Sequence, residues 1–269
     1  MTANPTVLAE RSSVGAFAAG AGIGTLGGLV GLGGAEVRLP VLLGAFRFST
    51  LEAVVLNKAL SLVVVAFALP LRASAVPLSD VMARWDVMAT LVSGSLFGAW
   101  VGASWATRLS ARSLNRVIAV LLAAVAFVLV TGHVSSAQSH PVLQGGALLA
   151  AGVAAGWGIG VVAALLGVAG GELLIPTIVL LFGVDLKLAG SLSLAVSLPT
   201  MLMAFARYSQ DRSFAVLTRE RRFFIVMAAG SLVGATIGGQ LLGVVPVLFL
   251  LPLLAGVLAL SAIRQWRHA

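Results

Sequence analysis

Two glutamates stand in glycine-rich interruptions of otherwise apolar sequence, and their carboxylates are the groups best suited to chemistry. Glu36 comes two positions after Gly34, and Glu172 comes two positions after Gly170. An ionisable group in apolar surroundings is costly and is usually functional, so each carboxylate is a candidate proton carrier or solute contact. The alternative is helix capping, because a carboxylate in the first turn satisfies backbone N–H groups and suits the positive end of the helix dipole. The two roles are compatible.

The glycines before these glutamates predict backbone N–H groups that are free to bind an anion. The two breaks contain Gly33 and Gly34 in one case, and Gly170 and Gly171 in the other. Helix N-termini with unpaired N–H groups bind anions, and two of them facing each other would hold a small oxyanion. Neither break ends in Gly-Lys-Ser/Thr, which excludes a phosphate-binding P-loop. The alternative is that the glycines only let helices pack closely.

Further polar residues follow each break, but the cationic ones follow the first break alone, because the equivalents of Arg38 and Lys58 are Leu174 and Leu194. Arg38, Asn57 and Lys58 follow the first break, whereas Ser193 and Ser197 follow the second. A buried arginine could pair with the nearby glutamate or contact an oxyanion through its planar fork of donors. Lys58 could instead extend its ammonium to a membrane surface. The serines either line a pathway or satisfy backbone groups around a proline kink.

The two glycine-rich breaks and their glutamates occupy matching positions because the chain is a tandem duplication. Residues 18–62 and 154–198 align without a gap at an offset of 136 positions. The segment Gly-Leu-Gly-Gly-Ala-Glu-Val-Arg-Leu-Pro at 31–40 lies over Gly-Val-Ala-Gly-Gly-Glu-Leu-Leu-Ile-Pro at 167–176. Glycine, glutamate and proline matching in one frame are hard to obtain by chance. We therefore divide the chain into an N-terminal repeat, 1–135, and a C-terminal repeat, 136–269.

The composition predicts an all-α polytopic membrane protein. Hydrophobic residues form 59% of the sequence, charged residues form 10%, and the mean hydropathy is +1.08. A soluble domain has about a quarter of its residues charged. Tyr208 ends one apolar run, where we expect it to anchor at the membrane interface. Runs long enough to cross the hydrocarbon core are found at 51–71, 87–106, 114–130, 188–206, 223–242 and 244–263.

Several classes of function are disfavoured by what the sequence lacks. The net charge of +8 comes from arginines in short connections, which is the pattern of membrane orientation and not of nucleic-acid binding. There is no cysteine, and the three histidines have no ligand partners at metal-binding spacing. No catalytic motif is present. We therefore expect no metal, no cofactor and no enzymatic activity, with the lipid bilayer and a small anionic substrate as partners.

The positions of the arginines predict that the two repeats are inverted. Arginines crowd the connections near 107–113 and 208–222 and the C-terminal tail, whereas 132–141 and 243–246 contain none. By the positive-inside rule, equivalent connections of the two repeats then face opposite sides, and both termini are cytoplasmic. Each repeat would have a glycine-broken helical hairpin, 14–46 or 141–182, followed by three transmembrane helices.

The number of crossings is left open by the short second arm of each hairpin. Arms 36–46 and 172–182 have 11 residues, about 16 Å of helix, so each is a tilted crossing or a re-entrant limb. The total is then ten or six crossings. A competing count of eight treats each hairpin as one long span and makes the repeats parallel.

The doubled glycine-rich segments resemble those of the sulfite exporter TauE/SafE family. The segment 182–194, Phe-Gly-Val-Asp-Leu-Lys-Leu-Ala-Gly-Ser-Leu-Ser-Leu, is similar too, as is Ser-Leu-Pro-Thr at 197–200. The resemblance covers roughly residues 14–263. It implies a permease of the bacterial inner membrane that moves small sulfur oxyanions or organosulfonates, generally outward.

Together these features predict a secondary transporter that exports a small sulfur-containing anion, such as sulfite or an organosulfonate, by alternating access. Glu36 and Glu172 are the candidates for coupling to protons. A passive anion channel with the same site is the alternative, and a non-transporting membrane scaffold is a third hypothesis. A homodimer is compatible with the sequence but is not required by it.

Overall fold

A computed structural model describes residues 12–30, 34–72, 76–131 and 144–240, together with Ile263 and Trp266. These ranges are helical and contain no β-strand, which confirms the all-α prediction. The helices, in chain order, are α1 Ser13–Val30, α2 Ala35–Gly44, α3 Thr50–Arg72, α4 Leu78–Ala83, α5 Trp85–Arg108, α6 Ala111–Thr131, α7 Gly145–Leu166, α8 Gly171–Phe182, α9 Leu186–Tyr208, α10 Val216–Arg219 and α11 Arg221–Gln240. A short 3-10 helix, Arg212–Ala215, precedes α10.

Five of the helices in the described ranges are long and apolar enough to cross a membrane. Four of them coincide with predicted runs, and α7 is the long arm of the second hairpin. The predicted run 114–130 lies within α6, whereas most of the run 244–263 lies outside the described residues. The five candidate spans are Thr50–Ala68, Trp85–Arg108, Gly145–Leu166, Leu188–Tyr208 and Arg221–Gly238.

Both glycine-broken segments form two helices with a break between them, as predicted. In the second segment α8 folds back along α7. A Cβ at Gly170 would lie 3.3 Å from the Ile159 side chain, whereas the Phe182 ring lies 2.8 Å from the position of a Cβ at Gly152. The alternative in which each segment is one long span is therefore wrong for this hairpin, because α7 and α8 are antiparallel.

Helices α5 and α7 run parallel in close contact along a line of glycines. A Cβ at Gly94 would lie 2.0 Å from the carbonyl oxygen of Val153, and one at Gly98 would lie 2.1 Å from that of Trp157. Such short distances mean that the two backbones touch, which only glycine permits here. The contact positions advance together along both helices, so their directions agree.

Helices α1 and α11 make the same contact at the equivalent positions. A Cβ at Gly230 would lie 2.4 Å from the carbonyl oxygen of Phe17, and one at Gly234 would lie 2.1 Å from that of Ala21. Each of these four residues is 136 positions from its counterpart in the α5–α7 contact. The third long helix of each repeat thus packs against the first helix of the other repeat. Reciprocal contacts of this kind define a pseudo-two-fold relation between the halves.

Two helices begin and two others end at one end of the molecule. Near the start of α3, Glu52 accepts a hydrogen bond of 2.6 Å from Arg219, the last residue of α10, two positions before the start of α11. This bond raises the pKa of Arg219. At the end of α9, Arg207 donates a hydrogen bond of 2.7 Å to Ser104, near the end of α5. The connection 209–220 joins the two contacts, so both lie at this arginine-rich end.

Candidate functional site

Asn57 joins the two helix breaks. It lies on α3 and is fully buried. Its side-chain amide donates hydrogen bonds of 3.0 Å to the carbonyl oxygen of Ala35, just after the first break, and 3.1 Å to that of Leu166, just before the second. Its side-chain oxygen has no hydrogen-bond partner among the described residues. The two predicted breaks therefore meet at one side chain of the first repeat.

The second break is a helix end held open by glycine. Gly167 has φ 69° and Gly170 has φ 84°, conformations that residues with a Cβ rarely adopt. The amide of Gly167 donates to the carbonyl of Ala164 at 3.1 Å, and that of Val168 donates to the carbonyl of Ala163 at 3.0 Å. This pair of bonds is the Schellman motif. The chain thus leaves α7 within the protein interior, with its last carbonyl groups directed at neighbouring side chains.

Lys58 binds the carbonyl groups at this helix end. Its ammonium donates hydrogen bonds of 2.8 Å to Ala163 and 2.6 Å to Val168, and the side chain is fully buried. The interpretation that Lys58 extends to a membrane surface is therefore wrong. A cation at a helix C-terminus is stabilised by the helix dipole. A residue of the first repeat thus neutralises the end of the broken helix of the second.

Tyr208 binds the same helix end from α9. Its hydroxyl donates a hydrogen bond of 2.9 Å to the carbonyl of Ala164, and the side chain is fully buried. The expectation that Tyr208 anchors at the membrane interface is therefore wrong, because its polar tip is used inside the protein. Sequence reasoning missed this role, since a tyrosine at the end of an apolar run looks the same in either case.

Glu36 and Arg38 lie in the first turn of α2 and are both buried. The Arg38 guanidinium donates a hydrogen bond of 3.3 Å to the hydroxyl of Ser61. The negative charge of Glu36 acts on both Arg38 and Lys58. Two cations and one carboxylate therefore share the interior around the breaks, which is consistent with the ion-pairing alternative for Arg38.

The second repeat has no cations at the equivalent positions. Leu174 corresponds to Arg38 and Leu194 corresponds to Lys58. Ser193 donates to the carbonyl of Gly190 at 2.9 Å, so its hydroxyl satisfies its own helix. Ser197 is the counterpart of Ser61, yet its buried hydroxyl has no hydrogen-bond partner among the described residues. The positive charge at these positions thus belongs to the first repeat alone, and the Ser197 hydroxyl of the second repeat stays available to bind a solute.

The remaining predicted site residues are described only in part. Glu172 lies in the first turn of α8 next to Gly171, and its side chain is outside the described residues. Gly33 is also outside them. Within the described ranges, no three histidine, aspartate or glutamate side chains come together as metal ligands. The described arrangement combines helix-break backbone groups, two cations and the unpartnered hydroxyl of Ser197, which can donate to a small polar anion.

The fold and this site define a polytopic helical membrane protein with discontinuous helices meeting in its interior, an arrangement typical of secondary transporters. The chain belongs to the family described as sulfite exporter TauE/SafE, whose pattern matches residues 16–265. Its members are membrane transporters of sulfur anions such as sulfite. No curated protein and no solved structure matched the chain.

Proposed function

We propose that this protein is a secondary transporter that exports a small sulfur-containing anion, such as sulfite or an organosulfonate, across the inner membrane by alternating access. The observation that carries the proposal is the meeting of the two helix breaks at Asn57. In transporters built from two repeats, substrates bind near the bilayer midplane where such discontinuous helices meet. Membership of the sulfite exporter family supports the substrate class.

The anion would be bound by a few groups around the breaks. An ammonium group has three N–H donors. Ala163 and Val168 use two of those of Lys58, and no described residue uses the third. The guanidinium of Arg38 suits oxyanions through its fork of donors. The backbone N–H groups at the starts of α2 and α8 complete the set, with Ser197 as a further hydroxyl donor.

The repeats would be inverted with respect to the membrane. Helix α3 begins, and α5 and α9 end, at the arginine-rich end of the molecule, so α3 is antiparallel to both. Helix α11 also begins there, and α1 runs parallel to α11. Helix α7 runs parallel to α5, which makes α1 and its counterpart α7 opposite in direction. By the positive-inside rule this end is cytoplasmic, with the N-terminus on the same side.

Proton coupling would use the two glutamates. Glu36 is buried beside the cationic groups, and its charge acts on both of them. Protonation of this carboxylate would change the net charge around the breaks by one unit, and would alter the affinity for an anion. Glu172 holds the equivalent sequence position in the second repeat.

The test is uptake of labelled sulfite into proteoliposomes of the purified protein, with and without an imposed pH gradient. We expect saturable uptake that responds to the gradient and shows counterflow against unlabelled sulfite. Glu36→Gln should keep the fold and lose the response to pH. Uptake no greater than in protein-free liposomes, for sulfite and for organosulfonates, would reject the substrate class. Flux without saturation or counterflow would instead indicate an anion channel.

A further inference from the structure

The ammonium of Lys58 occupies a position that a bound metal cation fills in other transporters. In discontinuous transmembrane helices, the carbonyl groups at the C-terminal end of a broken helix coordinate coupling ions such as Na⁺. Here the carbonyls of Ala163 and Val168, at the end of α7, face Lys58 at 2.8 Å and 2.6 Å. Both distances are in the range of charge-assisted hydrogen bonds. The negative end of the helix dipole adds to the attraction.

We propose that Lys58 is a tethered substitute for a coupling cation. The carrier would then keep its anion site formed and complete its transport cycle without sodium. The inference rests on the proposed function and deepens it by assigning the positive charge that accompanies the anion. Because the ammonium is covalently attached to α3, it stays in the protein through each cycle. The charge opposite the anion is therefore supplied by the chain, and the sodium gradient contributes no driving force.

The residue type supports this assignment. The sequence contains 15 arginines and only two lysines, Lys58 and Lys187. Lysine presents a compact point charge with rotatable donors, whereas the arginine guanidinium is a wide planar fork. Two converging carbonyl oxygens can both contact a compact cation. The use of lysine at this buried position, in a chain that otherwise relies on arginine, fits a cation site and not a general demand for positive charge.

The surroundings of Lys58 are those of a cation site, and the equivalent position of the second repeat lacks such a site. The buried Glu36 carboxylate supplies the opposing charge, since its negative charge acts on Lys58 across the protein interior. Asn57 and Tyr208 hold the neighbouring carbonyls of Leu166 and Ala164 by hydrogen bonds of 3.1 Å and 2.9 Å, which fixes the helix end around the ammonium. The equivalent of Lys58 in the second repeat is Leu194. The tethered cation is thus a feature of one helix break.

The first experiment measures thermal unfolding of purified variants in detergent, which requires no transported substrate. Lys58→Ala leaves room for a small amine, whereas Lys58→Met keeps the length of the side chain and removes the charge. We expect methylammonium chloride to raise the unfolding temperature of Lys58→Ala saturably. Tetramethylammonium chloride at equal ionic strength should have no such effect, because it is too large and donates no hydrogen bond. The wild type, Lys58→Met and Lys187→Ala should not respond to methylammonium.

The second experiment measures sulfite counterflow in proteoliposomes. Wild-type flux should be unchanged when sodium is replaced by choline on both sides or when a sodium gradient is imposed. Flux through Lys58→Ala should fall about tenfold or more, as expected for the loss of hydrogen bonds from a charged group, and methylammonium should restore part of it.

Three results would overturn the inference: a sodium-driven wild-type flux, no response of Lys58→Ala to methylammonium, or full flux through Lys58→Met. If Lys58→Ala unfolds during purification, recovery of folded protein only in buffer with methylammonium supports the site, and failure to recover it there counts against the site. The unfolding experiment also separates this inference from the proposed function. A protein that carries no sulfite but whose Lys58→Ala variant binds methylammonium would still have the tethered cation.

Discussion

Asn57 donates a hydrogen bond of 3.1 Å to the carbonyl oxygen of Leu166, so that a side chain of the first repeat holds the helix end of the second. The same amide also bonds to Ala35 of its own repeat at 3.0 Å. Any motion of one repeat against the other must therefore keep this pair of bonds or break one of them. The position makes Asn57 the residue through which the two breaks are coupled mechanically.

Asn57→Leu should therefore destabilise the protein and abolish transport. The substitution keeps the approximate volume of the side chain but leaves two buried carbonyls without their side-chain donor. Buried polar groups that lose a partner cost about 1–3 kcal/mol. We expect a lower unfolding temperature in detergent and sulfite counterflow close to that of protein-free liposomes.

Asn115→Leu is the matched control for this prediction. Asn115 is bonded to the hydroxyl of Thr50, and both residues belong to the first repeat and lie away from the breaks. This variant should lose stability and retain transport per folded molecule. Normal counterflow through folded Asn57→Leu would show that the bridge between the breaks is dispensable for transport.

Tyr208→Phe should lower stability slightly and leave transport largely intact. The hydroxyl bonds to the carbonyl of Ala164 at 2.9 Å, but that carbonyl also accepts the amide of Gly167 at 3.1 Å. The acceptor is therefore not left without a donor, and the expected loss is about 0.5–1.5 kcal/mol. Chemical unfolding in detergent measures it. Tyr208→Leu should lose more, since it also removes packed volume, and equal stability of the two variants would contradict this account.

The sequence was sufficient to predict the elements but not the partners of the polar side chains. The hairpin breaks at Gly34 and Gly170 could be predicted because glycine, glutamate and proline recur at one offset in the two repeats. The repeated pattern therefore marks both breaks. The partners of Lys58 could not, because Ala163 lies 105 positions away and its carbonyl is a backbone group that leaves no trace in residue type. The role of Tyr208 could not be predicted either, because a tyrosine at the end of an apolar run suits both membrane anchoring and hydrogen bonding to a helix end.

The equivalent serines of the two repeats should respond differently to substitution. Ser61→Ala removes the hydroxyl that accepts a hydrogen bond of 3.3 Å from buried Arg38, so it should lower stability by about 1–3 kcal/mol. Ser197→Ala removes a buried hydroxyl with no partner among the described residues, so its unfolding temperature should be unchanged or higher. If Ser197 contacts the anion as proposed, the concentration of sulfite for half-maximal counterflow should rise. An unchanged value would remove Ser197 from the binding site.

Glycines two positions apart in α1 should differ sharply when replaced by alanine. A Cβ at Gly24 would lie 2.3 Å from the carbonyl oxygen of Ser231 on α11, whereas a Cβ at Gly22 would have no atom within 4 Å. Gly24→Ala must push the two helices apart, and overpacking of this kind costs about 1–3 kcal/mol or more. Gly22→Ala should be neutral or stabilising by up to about 1 kcal/mol, because alanine favours helix over glycine.

The same comparison applies to α7, where Gly160 and Gly158 are the counterparts. A Cβ at Gly160 would lie 2.4 Å from the carbonyl oxygen of Ser95, and one at Gly158 would have no atom within 4 Å. The yield of monodisperse protein and its unfolding temperature should therefore fall for Gly24→Ala and Gly160→Ala and hold for the other two. Because each affected contact joins one repeat to the other, both losses follow from separating the halves. A stable Gly24→Ala variant would mean that α1 and α11 do not touch as closely as described.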